Sequence, residues 1–193
     1  MALNDQLKWD NLHGGRHAAD KPSALLEIIF QQFGSILSPG RALDIASGRG
    51  RNSIFLAARG WAVEAMDISA VALAATKKRA EEKGLSITVT NADLDYADLS
   101  DAAYDLILNF NFLQRSLVPK MKRALKVGGL VIFETFLIDQ QALGHPKNPA
   151  YLLQHNELLE WFRDFRVLSY QEGKFTEAGT EAYKAGLLAQ KLG

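Results

Sequence analysis

Between residues 41 and 136 the sequence alternates short apolar runs with stretches of helical spacing, and that alternation leaves few folds open. The runs at 41–46, 61–66, 87–90, 104–110 and 130–136 are too short for helices and are rich in apolar and β-branched residues. Strands of that kind are buried on both faces, as in a parallel sheet covered by helices. Helical patterns fill the gaps at 52–59, 70–83 and 118–126, closed by Gly60, Gly84 and the Gly128-Gly129 pair. Upstream, a helical arm is expected over 3–12, then a break at Gly14-Gly15. A helix over 22–37 follows, with Leu25, Leu26, Ile29, Phe30 and Phe33 at helical spacing. Downstream, 137–155 shows no regular pattern and is long for a loop. A helix over 156–165 and two late strands, 166–170 and 182–190, complete the chain, the strands antiparallel to the rest.

The 193 residues suit a single domain: an arm or cap over 1–40 and an α/β core over 41–193. Lys plus Arg and Asp plus Glu each number 22, so the net charge is zero. That balance argues against a general nucleic-acid binder, which needs excess cation to displace phosphate counterions. Cysteine is absent, which excludes disulfides, thiolate metal sites and a thiol nucleophile. The polar N-terminus lacks the apolar centre of a signal peptide, and no apolar run reaches the ~20 residues of a membrane span. A cytoplasmic protein without membrane contact is the expectation.

The densest chemical signal is L-D-I-A-S-G-R-G-R-N at 43–52, a strand that runs through two glycines straight into a helix. Gly48 and Gly50 permit a tight turn and close approach of a ligand to the backbone. The helix start at Arg51 and Asn52 offers unpaired N–H groups to an anion. An ordinary strand-to-helix turn would look the same. Two more acids narrow the choice. Asp67 ends the second strand, where a carboxylate can accept both ribose hydroxyls of a nucleotide, although before Ile68-Ser69 it also resembles a helix cap. Asp93 follows the third strand, placed to meet an adenine edge. Polar signals at the carboxyl ends of successive strands favour an adenosine-containing ligand.

A nicotinamide site usually shows G-x-G-x-x-G, but Ser53 stands at the last position and Asp44 precedes the glycines. The pattern resembles the class I S-adenosylmethionine-dependent methyltransferases, including the L-K-V-G-G turn at 125–129. Within them, G-R-G-R-N-S, F-L-Q-R-S-L-V-P, H-N-E-L-L-E-W-F and W-D-N-L-H are similar to the tellurite-resistance subgroup. The resemblance implies a doubly wound, mostly parallel, Rossmann-like seven-stranded sheet with an antiparallel C-terminal edge. It implies that Asp44, Gly48 and Gly50 serve the methionine end of S-adenosylmethionine, and Asp67 the ribose. Asp93 and the Leu94 backbone would read adenine, and Asn109 would sit beside the sulfonium. Ala46, Arg51, Asn52 and Ile68 complete the implied contact set. Ala46 departs from the glycine many relatives carry, and His13 from a tyrosine.

The fourth strand ends N-F-N-F rather than in the Asp/Asn-Pro-Pro-Tyr of amino-methylating DNA enzymes. No carboxylate and histidine cluster has metal-ligand spacing, so no metal is expected. Methyl transfer to a small acceptor is the expected reaction, the candidates being a thiol, a chalcogen oxyanion or a small organic acid. A catalytically idle cofactor-binding sensor is the alternative, and a nicotinamide-dependent reductase is disfavoured by Asp44 and Ser53. His145, His155, Tyr151 and Glu134 are base candidates, each more simply structural or solvated, and no catalytic residue is assigned. The Lys77-Lys78-Arg79 run reads as the wet face of a helix, Trp161, Phe162 and Phe165 as core. Trp9 covers the cofactor or anchors the arm. A monomer or homodimer is expected.

Overall fold

The computed structural model describes residues 7, 9–11, 21–177 and 179–193. His13 and the Gly14-Gly15 break lie outside them. Seven strands form one sheet in the order β3-β2-β1-β4-β5-β7-β6. They are β1 (Arg41–Ile45), β2 (Ala62–Asp67), β3 (Ile87–Asn91), β4 (Tyr104–Phe110), β5 (Leu125–Phe136), β6 (Phe165–Glu177) and β7 (Thr180–Lys191). The first five run parallel, and β7 pairs antiparallel with both β5 and β6. The doubly wound, Rossmann-like sheet with an antiparallel edge is therefore present.

Helices α1 (Ala24–Phe33), α2 (Arg51–Ala57) and α3 (Ala70–Glu82) lie on one face. They bury Leu25, Leu26, Ile29, Ile54, Phe55 and Leu73 against Ala42, Leu106, Leu108 and Ile132. On the other face lie α4 (Val118–Ala124) and α5 (Glu157–Trp161), with Met121, Leu158 and Phe162 packed on Leu43, Ile107 and Phe133. Trp161 and Phe165 join that core, as expected. Because both faces are covered, the central strands can be apolar at every position.

Three stretches differ from the sequence pattern. The L-K-V-G-G stretch is no turn: β5 already begins at Leu125, opposite Tyr104. The register shifts before Leu130, with Gly128 at φ +80°, so the glycines mark an irregularity within one strand. The late strands extend well past 170 and start before 182, as one long hairpin. Residues 137–155 hold two 3-10 turns, Ile138–Ala142 and Pro149–Tyr151, and a bridge of Leu137 to Leu153. Leu152 and Leu153 are fully buried, which anchors the segment's second half. Among the described residues no helix is long and apolar enough to cross a membrane.

Candidate cofactor site at the carboxyl edge of the sheet

From β1 the chain builds outward to β2 and β3, then crosses back to place β4 on the other side of β1. Such a switch point opens a crevice at the carboxyl ends of the two diverging strands. Asp44 in β1, Asp67 ending β2 and Asp93 just beyond β3 all lie at this edge. So does Asn109 in β4, which is 1% exposed and donates from Nδ2 to Phe112 O at 2.8 Å.

The glycine turn is held from three sides. Asp67 Oδ2 accepts Gly48 N at 2.8 Å, and its Oδ1 accepts Ser69 N at 2.8 Å. Ser69, not Asp67, caps α3, accepting Ala72 N at 3.1 Å. Thr76, fully buried in α3, donates to Gly48 O at 3.2 Å. Arg79, one turn on, donates from Nη1 to Arg49 O at 2.9 Å. The wet-face reading is thus corrected for Arg79, whereas Lys77 and Lys78 are exposed. Neither Thr76 nor Arg79 stands out by type; their i, i+3 spacing alone places them on one helix face.

Ala46 adopts φ +50°, a left-handed conformation that costs a non-glycine residue about 1–2 kcal/mol. The glycine that the resemblance implies at this position would avoid that cost. Gly50, at φ +74°, leaves no room for a side chain: a Cβ there would lie 2.3 Å from Thr76 Cγ2.

Asp44 is buried beneath the turn, its Oδ2 accepting Ser53 Oγ at 2.5 Å. Burial pushes its carboxyl up to about 7, with the nearby Asp67 charge adding to the rise and Ser53 and Arg51 opposing it. Asp93 Oδ1 accepts Asp95 N at 3.0 Å, while its Oδ2 is buried and has no partner. Leu94 beside it is buried, and Ile68 lies between Asp67 and the Ser69 cap with its carbonyl accepting Asn91 Nδ2 at 2.8 Å.

Arg51, whose charge acts on Asp44, and Asn52 also reach the start of α1. Arg51 Nη2 donates to Ser23 Oγ at 2.9 Å, and Asn52 Oδ1 accepts Ser23 N at 2.9 Å, fastening the start of α1 to α2.

The base candidates are engaged elsewhere. Glu134 forms a buried ion pair with Lys184 at 2.8 Å. His155 meets Asp139 at 2.6 Å; that hydrogen bond and charge hold the imidazole above its usual range and the carboxyl below its own. Tyr151 is largely exposed, and the carbonyl of His145 accepts Gln140 Nε2. Among the described residues no cluster of histidines and acids could hold a metal ion.

One contact at the edge has no signal in the sequence. Asp10 of the N-terminal arm accepts Ser69 Oγ at 2.5 Å and Val71 N at 3.3 Å, docking the arm on α3 next to Asp67. Trp9, 39% exposed, precedes it.

Known proteins resemble this chain in sequence and in fold. The probable S-adenosyl-L-methionine-dependent methyltransferase TehB of Haemophilus influenzae is 30% identical over 144 residues, covering 71% of this chain and 50% of its own length. Hemagglutinin 1 of Eikenella corrodens is 26% identical over 184 residues, covering 91% of this chain and 58% of its own length. The crystal structure of TehB from H. influenzae superposes with a TM-score of 0.75 at 25% identity, over 88% of this chain and 63% of that one. The chain thus spans about half the length of the TehB relative it matches in sequence. A family model described as tellurite resistance protein TehB matches residues 28–183, most of the sheet and both helical layers, and the chain belongs to that family.

Proposed function

We propose that the chain is an S-adenosylmethionine-dependent methyltransferase acting on a small-molecule acceptor. The observation that carries this reading is the buried, unpartnered Oδ2 of Asp93 at the same sheet edge as Asp44 and Asp67. A buried acceptor without a donor is costly, and the exocyclic amine of adenine is a donor of the right kind. Both oxygens of Asp67 accept a backbone N–H, and each keeps lone-pair capacity for a ribose hydroxyl. The name of the Haemophilus relative supports the same cofactor and reaction.

Bound S-adenosylmethionine supplies a methyl group already activated on a sulfonium, open to in-line displacement. What the protein adds is position and exclusion of water. Asp44, Ala46, Gly48, Gly50 and the backbone of Arg51 and Asn52 hold the methionine end. Asp67 and Ile68 hold the ribose, Asp93 and Leu94 the adenine, and Asn109 flanks the transfer path. No base is assigned, since Glu134 and His155 are both ion-paired. The acceptor is a thiol, a chalcogen oxyanion or a small organic acid, and the description of the family favours the oxyanion. The working form is a cytoplasmic monomer or homodimer that binds neither nucleic acid nor membrane, and the zero net charge supports the first exclusion.

S-adenosylmethionine and S-adenosylhomocysteine should each stabilise the fold, by about 2.7 kcal/mol at 100 times the dissociation constant. Thermal melts read this directly. A shift with a nicotinamide cofactor and none with either adenosyl compound removes the methyltransferase reading.

Asp67→Ala should weaken S-adenosylhomocysteine at least about tenfold, because charge-assisted bonds to the ribose are lost. It should also lower stability by about 1–3 kcal/mol, since Gly48 N and Ser69 N lose their acceptor. Calorimetry separates the two. A lower melting temperature with unchanged affinity means that Asp67 only braces the turn.

A further inference from the structure

Two stretches that carry the family resemblance, F-L-Q-R-S-L-V-P and H-N-E-L-L-E-W-F, make no hydrogen bond to the side chains of Asp44, Asp67 or Asp93 among the described residues. The structure joins them. Arg115, after β4, donates from Nε to Glu157 Oε1 at 2.7 Å and from Nη2 to Glu157 Oε2 at 3.0 Å. The same guanidinium reaches Ala150 O at 3.0 Å and Leu152 O at 2.9 Å. Glu157 Oε2 also accepts Gln154 N at 2.8 Å. On its other side the stretch is sewn to the end of β5, through Leu153 N to Phe136 O at 2.8 Å and Ile138 N to Leu153 O at 2.9 Å. Residues 150–157 therefore stand as a wall at the carboxyl edge, over β4 and β5. With the ends of β1, β2 and β3 given to the cofactor, this is the half of the edge from which an acceptor can approach.

Gln114, the residue before Arg115, turns the opposite way. Its Nε2 donates to Asp95 Oδ1 at 2.7 Å and to Leu94 O at 3.2 Å, in the loop that carries the unpartnered Asp93 oxygen. Adjacent residues thus tie the adenine-side loop to the acceptor-side wall.

We infer that Arg115 is a positioning residue that holds residues 150–157 as the acceptor wall, and that Gln114 couples this wall to occupancy of the Asp93 loop. The inference rests on the proposed cofactor reading. An ion pair this exposed contributes little by its charge alone (the Arg115 side chain is 41% exposed). Its weight lies in geometry: one planar fork satisfies a carboxylate and two carbonyls, which a lysine ammonium cannot do in that arrangement. A ligand that orders the Asp93 loop then lowers the cost of ordering whatever is attached to it.

Hydrogen exchange on the full chain, with and without saturating S-adenosylhomocysteine, tests this. In the native protein the compound should slow exchange at 93–97 and, by about fivefold or more, at 150–157. Gln114→Ala should keep the protection at 93–97 and lose the added protection at 150–157. Arg115→Ala and Arg115→Lys should both exchange about tenfold faster at 150–157, with or without the compound. Protection at 93–97 that spreads to 150–157 equally in all four proteins overturns this inference alone. No protection at 93–97 in the native protein overturns the cofactor reading, and this inference with it.

Discussion

Gly50→Ala is expected to destabilise the fold by about 3 kcal/mol, from two costs that add at one atom. The first is conformational: φ is +74°, and a left-handed residue with a Cβ costs about 1–2 kcal/mol. The second is steric. The new methyl would lie 2.3 Å from Thr76 Cγ2, 2.6 Å from its Oγ1 and 2.9 Å from its Cβ, so the whole side chain is in the way. Thr76 cannot swing clear, being fully buried and hydrogen-bonded to Gly48 O and Ala72 O. Overpacking of this kind costs about 1–3 kcal/mol. Gly84→Ala isolates the first cost, because Gly84 has φ +67° and nothing within 4 Å of where its methyl would sit. Denaturant unfolding of both variants should show the Gly50 change costing more by about 2 kcal/mol. Equal losses would mean that the Thr76 contact yields without strain. The same displacement moves Gly48 O, so cofactor affinity should fall together with stability.

The central sheet is legible in the sequence because its strands are buried on both faces. The apolar run of Tyr104–Phe110 matches β4 to the residue, and those of β1, β2 and β3 match to within one residue at each end. The outer hairpin is not legible. Its distal half carries Lys174, Thr176, Thr180 and Glu181, with no continuous core beneath to impose a period of two. Gly128-Gly129 misleads for a related reason. A glycine pair signals a turn or a bulge equally well, and only the pairing of Leu125 with Tyr104 decides between them.

For the candidate site, the residues that end strands are visible in the sequence and the residues that brace them are not. Asp44, Asp67 and Asp93 lie within or just after apolar runs, which makes them conspicuous. Thr76, Arg79 and Asp10 reach the same turn from a helix face and from the arm, and no local pattern encodes those contacts. Arg115 and Glu157 lie inside stretches that stand out only by resemblance. Their shared fork supplies the physical reason for the two stretches to occur together.

Asp44 ties the site to pH. Its folded-state pKa of about 7 lies above the unfolded value near 3.9, so the folded chain binds the extra proton between those values. Asp44's contribution is therefore fully present below pH ~4, is lost as pH rises toward 7, and levels off above it. The loss is on the order of 4 kcal/mol, at 1.36 kcal/mol for each pKa unit. Asp44→Asn removes this slope: it should gain on the native protein steadily from pH 5 toward pH 7, and level off above it. On the proposed function, ligand binding reverses the preference. S-adenosylmethionine brings a sulfonium and an ammonium, and either cation favours the ionised carboxylate, so binding should expel the proton. Affinity of the native protein should then rise with pH up to about 7, by at most about tenfold per unit. Asp44→Asn should bind more weakly and with a flat profile. Calorimetry at pH 6 in two buffers of different ionisation enthalpy reads the released proton. If the two heats agree, and the stability gap between native and variant proteins stays constant with pH, then Asp44 is already ionised in the folded chain. Its burial would then be balanced by Ser53 and Arg51, with no proton left to exchange.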